Sequence, residues 1–129
     1  MAPKVKICGI STAKDYIICR NAGARWTGMV YYPGSSRHVD LAGLAALANC
    51  ADSVGSDGPE RILLSVDIIG EKLMRIIEVA RPNMLQFHGK ETCQNVADIK
   101  ARTGLPVIKA IAVETAADLD QCAKWDNLA

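Results

Sequence analysis

At 129 residues the chain is long enough to bury one hydrophobic core, and a single domain over residues 1–129 is expected. Fifteen basic residues against fourteen acidic ones leave a formal charge of +1, which gives no electrostatic case for nucleic acid or an acidic membrane. Half of the residues are hydrophobic and 22% are charged, which argues against disorder, and three Tyr, two Trp and one Phe are too few for a base-stacking surface.

Lys4 to Ile10 is the first short apolar run. Thr12 and Asp15 then stand at capping-box spacing, so a helix is predicted from there to a stop at Gly23. A second run, Trp26 to Tyr32, enters the turn-rich loop Pro33-Gly34-Ser35-Ser36-Arg37. Asp40 can cap the next helix, whose Leu41, Leu44, Ala45 and Ala48 form one apolar stripe. The third run is Arg61 to Asp67, followed by a helix with Leu73, Ile76, Ile77 and Ala80 on one face and Pro82 at its end. Met84 to His88 is the fourth run, closed by Gly89, and a helix over about residues 91–102 stops at Gly104-Leu105-Pro106. The fifth run is Val107 to Val113. Thr115 and Asp118 repeat the capping-box spacing before a last helix with Leu119, Cys122 and Ala123 on one face.

These are five β-α units with no linker between them, which implies parallel strands joined by right-handed crossovers. Two architectures fit: a partial (β/α) barrel of the TIM type, and an open flavodoxin-like parallel sheet. Strict alternation pairs Lys6 with Cys8, Ser65 with Asp67 and Gln86 with His88 on single strand faces, and places Lys109 between Ile108 and Ala110. A polar face richest at the C-terminal strand ends suits a barrel interior with its site at the mouth. An open doubly wound sheet would bury the same groups under helices.

The N-terminus carries two early lysines and no long apolar stretch, so it does not read as a signal peptide, and a cytoplasmic protein is expected. The five cysteines, at 8, 19, 50, 93 and 122, include no Cys-x-x-Cys pair. Neither a disulfide framework nor a zinc site is expected, and each cysteine reads first as a small buried hydrophobe.

Four segments resemble phosphoribosylanthranilate isomerase, an enzyme of tryptophan (aromatic amino acid) biosynthesis. They are Lys6-Ile7-Cys8-Gly9-Ile10-Ser11; Gly28 to Pro33 with Ser36-Arg37-His38-Val39; Leu85-Gln86-Phe87-His88-Gly89 with Glu91; and Val107 to Ile111. They stand in the family's order and near its spacing. The resemblance implies a TIM barrel and an Amadori rearrangement, in which N-(5-phosphoribosyl)anthranilate becomes carboxyphenylamino-deoxyribulose phosphate. A general acid opens the furanose ring and a general base removes the proton from C2. It implies no metal and no organic cofactor. Carried onto this chain, the base falls on Cys8, where Lys6, His88 and Lys109 could supply positive potential. Arg37 falls on the partner of the substrate's anthranilate carboxylate, a role suited to a guanidinium fork. Gln86 and His88 would line the pocket, and Asp67 is read as a salt-bridge partner of Lys109.

The same resemblance locates the family's general acid on a sixth strand, and its phosphate-holding glycine-rich loops later still. This sequence reaches only the end of its fifth unit, and Asp126, in the tail of the last predicted helix, does not replace the acid. Little or no isomerase activity is therefore expected of these five units alone. A homodimer or higher oligomer is expected to cover the open edges of strands one and five. The alternative reading is a non-catalytic partial barrel that self-associates. An unrelated flavodoxin-like binding domain is disfavoured, because Gly9-Ile10-Ser11-Thr12 is neither a Ser/Thr-rich flavin loop nor Gly-x-Gly-x-x-Gly.

Overall fold

Five strands alternate with four α-helices in the computed structural model, which describes residues 1–129: β1 Lys6–Cys8, α1 Ala13–Asn21, β2 Trp26–Tyr31, α2 Leu41–Val54, β3 Glu60–Ser65, α3 Gly70–Ala80, β4 Met84–Phe87, α4 Cys93–Thr103 and β5 Val107–Lys109. All pairings are parallel, in the order β1-β2-β3-β4-β5. The order never reverses, as it would in a doubly wound sheet. The winding is that of a (β/α) barrel, and the sheet is open, with β1 and β5 at its edges.

Local chemistry sets the helix starts. The Thr12 hydroxyl accepts the Asp15 N–H at 3.1 Å while the Asp15 carboxylate accepts the Thr12 N–H at 3.0 Å, a reciprocal capping box for α1. Asp40 caps α2 by accepting the Gly43 N–H at 2.8 Å. Thr92 and Asn95 form a second capping box and start α4 at Cys93, two residues later than the sequence pattern places it. Helix α3 ends on Arg81, in the left-handed region at φ 44°, immediately before Pro82.

One buried cluster joins strand residues Met29, Leu63, Leu85, Phe87 and Val107 to helix residues including Leu44, Leu47, Leu73, Ile76, Val96 and Ile99. Register puts Met29, Leu63, Leu85 and Val107 in one row across the sheet, so the helices all lie on one side. Each fully buried Leu or Phe contributes about 1.5–3 kcal/mol of hydrophobic stabilisation. Positions one step along the strands form the opposite, inner face: Lys6 and Cys8 on β1, Gly28 and Val30 on β2, Ile62 and Leu64 on β3, and Gln86 on β4.

This register corrects part of the expected polar face. Ser65 and Lys109 are both in register with Phe87, so they point to the helix side. The buried Val107 decides the parity of β5, and a residue two positions on shares its face. Lys109 is tolerated there because its ammonium is paired. The last predicted helix is also different. Residues Ala116–Trp125 form a 3-10 segment with no buried residue, and Leu119 is 56% exposed. Without an apolar face to bury there is no packing gain to favour the α-helical form. No helix is long and apolar enough to cross a membrane.

Candidate active site

The C-terminal ends of β1 to β4 carry the site. The turn after β1 passes through Gly9 at φ 86° and is anchored by Asp15, whose carboxylate accepts the N–H groups of Ser11 and Thr12. The Thr12 hydroxyl first, and then the Ser11 N–H, hold the Asp15 carboxyl below its ordinary range. Arg37 lies directly over Gly9. Its guanidinium Nη1 donates to the Cys8 carbonyl at 3.3 Å, and a Cβ on Gly9 would stand only 2.5 Å from Arg37 Cδ. The missing side chain at position 9 is the space that Arg37 occupies.

The loop that presents Arg37 is tied down on both sides of it. The Arg37 N–H donates to the Ser35 hydroxyl at 3.1 Å. The Tyr32 N–H donates to Nδ1 of His38 at 3.0 Å, the His38 ring stands edge-on to Tyr31, and the Val39 N–H donates to the Val30 carbonyl at 2.8 Å. His38 is thus a loop anchor that the sequence motif contains without disclosing its role.

Cys8 is half-buried on the inner face, beside Gly28. A Cβ at Gly28 would lie 3.1 Å from Cys8 Sγ and 3.4 Å from Lys6 Cε, so the bare glycine lets thiol and lysine stem share one space. Lys6 Nζ donates to Gln86 Oε1 at 2.6 Å, which ties β1 to β4 across the inner face. Gln86 therefore orients Lys6.

Val30, Tyr32, Arg37, Leu64, Val66 and His88, with Ser35, line a concavity of about 340 Å³ at the mouth. That is within the range of small-ligand pockets. The structure thus brings Arg37 and His88 into one concavity, with the Cys8 backbone carbonyl bonded to Arg37 and Gln86 one layer deeper. His88 is exposed, its backbone N–H held by the Ser65 carbonyl. No group of three or more His, Cys, Asp or Glu side chains is arranged to hold a metal.

The predicted Asp67–Lys109 pair is not formed. Lys109 Nζ donates to Glu91 Oε2 at 2.9 Å and to the Gly89 carbonyl at 2.5 Å, and packs 5.5 Å from the Trp125 ring. Asp67 lies beyond β3 in the left-handed region at φ 52°, and its carboxylate accepts the Lys90 N–H. Lys109 is thereby removed from the surroundings of Cys8, where the sequence reading placed it.

The sequence model of the family described as N-(5'-phosphoribosyl)anthranilate (PRA) isomerase matches residues 5–128. The chain belongs to the PRA isomerase family. The N-(5'-phosphoribosyl)anthranilate isomerase of Nitrobacter winogradskyi is 43% identical over 125 residues, which are 97% of this chain and 54% of that protein. The solved phosphoribosyl anthranilate isomerase of Thermotoga maritima superposes with a TM-score of 0.87 at 25% identity, covering 98% of this chain and 59% of that one. A phosphoribosyl anthranilate isomerase solved in complex with reduced 1-(o-carboxyphenylamino)-1-deoxyribulose 5-phosphate gives 0.87 at 25% identity, with coverages of 98% and 62%. The chain spans about half the length of the curated relatives it matches. PRA isomerase membership accounts for the TIM-type winding and its sequential strand order.

Proposed function

We propose that these 129 residues supply the base-bearing, carboxylate-binding half of a PRA isomerase site. The observation that carries the reading is Arg37 seated over Gly9 and bonded to the Cys8 carbonyl. It sets a guanidinium beside the backbone of the cysteine the family resemblance assigns as base. In this reading the pocket between Arg37 and His88 takes the anthranilate ring, and the guanidinium holds its carboxylate. Cys8 removes the C2 proton of the opened sugar as general base, with Lys6 beside it as the nearest cation on its own strand face. Gln86 keeps Lys6 in place.

The resemblance locates ring protonation and phosphate binding in the family's later units, so the roles read on these residues are proton abstraction and carboxylate binding. Exposed Val5 and Ile7 at the β1 side, with Val113 beyond β5, support burial of the sheet edges against a second copy of the chain.

The test is conversion of N-(5-phosphoribosyl)anthranilate by the chain alone and with an added polypeptide carrying the family's later units. Conversion abolished by Cys8→Ala and weakened by Arg37→Ala is the expected result. Conversion that survives Cys8→Ala refutes the reading. Light scattering that shows a monomer at high concentration refutes the self-association.

A further inference from the structure

Glu91 is the only charged residue in the fully buried class, and its side chain is 0% exposed. It lies outside the pocket, yet it binds three separate segments at the C-terminal end of the sheet. Its Oε1 accepts the Asp67 N–H at 2.8 Å, in the loop after β3. Its Oε2 accepts the Gly89 N–H at 3.0 Å, in the loop after β4. The same Oε2 takes Lys109 Nζ at 2.9 Å, on the last residue of β5. Lys109, 7% exposed, closes the circuit on the Gly89 carbonyl, and the Lys90 N–H returns to the Asp67 carboxylate. The arrangement satisfies the buried charge with one ammonium and two amides, as burial requires.

Val66 and His88 line the pocket. Each immediately precedes a residue whose N–H the Glu91 carboxylate holds, Asp67 and Gly89. We propose that Glu91, paired with Lys109, is the positioning residue of the pocket: it fixes the β3 and β4 end loops and so sets where Val66 and His88 stand opposite Arg37. This deepens the anthranilate-binding reading and rests on it for the ligand. Asp67 in the left-handed region fits the same role, since a non-glycine residue holds that conformation only when its surroundings dictate it.

The test uses the whole chain with Glu91→Leu/Lys109→Met, because removing both charges together avoids the unpaired buried ion that could unfold Glu91→Leu alone. Glu91→Asp serves as the conservative variant. Amide hydrogen exchange reads the loops, and anthranilate titration reads the pocket. Exchange at Asp67 and Gly89 is expected to quicken about tenfold or more in the double variant, while Leu63 and Leu85 inside the strands change less than about twofold. Anthranilate affinity is expected to fall about fivefold or more, with partial recovery in Glu91→Asp. Unchanged loop exchange overturns the proposal, and so does faster loop exchange with unaltered affinity, which leaves Glu91 a purely structural ion. If the parent chain binds no anthranilate, the ligand reading fails. The exchange result then decides alone: selective quickening at Asp67 and Gly89 supports the positioning role, and its absence overturns it.

Discussion

Gly9→Ala separates a backbone cost from a site cost. Position 9 has φ 86°, and an added methyl would meet Arg37 Cδ at 2.5 Å and Nη1 at 2.7 Å. An L-residue in the left-handed region costs about 1–2 kcal/mol. Displacing Arg37 also removes its bond to the Cys8 carbonyl, worth about 0.5–1.5 kcal/mol. Together these lower stability by about 2–3 kcal/mol, and each kcal/mol lowers Tm by roughly 3–6 °C at this chain length. Gly23→Ala is the control, because its φ is 77° and nothing lies within 4 Å of the added Cβ. It bears the backbone cost and leaves Arg37 in place. Thermal unfolding by circular dichroism should show both variants destabilised, Gly9→Ala somewhat more. Anthranilate titration should show affinity lost about tenfold or more in Gly9→Ala, the scale of a charge-assisted contact, and retained in Gly23→Ala. Equal affinity in both variants would refute the claim that Gly9 exists to seat Arg37.

Phe87→Ala removes a side chain that is 1% exposed at the centre of the helix-side core, and is expected to cost about 3–5 kcal/mol, read as a shifted urea midpoint. The Asp15 and Asp118 carboxyls are both held below their ordinary value of 3.8, Asp15 first by the Thr12 hydroxyl and Asp118 first by the Thr115 N–H. A depressed folded pKa contributes stability that is complete above the unfolded value and lost as pH falls through the folded one. An acid titration of helical signal should therefore lose a component below pH 3.8 that Asp15→Ala removes. Alkylation with iodoacetamide should modify exposed Cys122 first and Cys19 last, since burial pushes the Cys19 thiol up and covers it. Modification of Cys19 as fast as Cys122 would contradict the packing of α1 on the sheet.

The parts of the fold that local chemistry decides are legible in the sequence. Thr12 with Asp15, Asp40, and the stripe of Leu73, Ile76, Ile77 and Ala80 mark helices that the structure contains, because capping and amphipathic spacing act within a few residues. Strand parity on β3 and β5 was harder to read. β5 has three residues, and in so short a run alternation alone does not say whether Val107 or Ile108 faces the helices. That choice depends on register with Phe87, whose partners Ser65 and Lys109 lie far from it in sequence in either direction. The last segment misleads for a related reason. Its spacing of Leu119, Cys122 and Ala123 is helical, but all three are exposed, and periodicity predicts a helix only where an apolar face is buried.

The same distinction runs through the site. Cys8, Arg37 and His88 are visible as motif residues because each stands at a strand end or in the loop beyond it. Glu91 stands in the motif too, yet its spacing suggests only a helix start, and its three partners belong to the ends of three different strands. A surface acid at a helix start would be worth a few tenths of a kcal/mol and would weaken in salt. A fully desolvated carboxylate holding one ammonium and two amides is nearly indifferent to salt, because little screening reaches it. Loop protection at Asp67 and Gly89 measured at low and at high salt therefore distinguishes the two roles in the unmodified chain. Constancy across about 0.05–1 M salt is expected for the buried hub, and progressive loss of protection would place Glu91 at the surface instead.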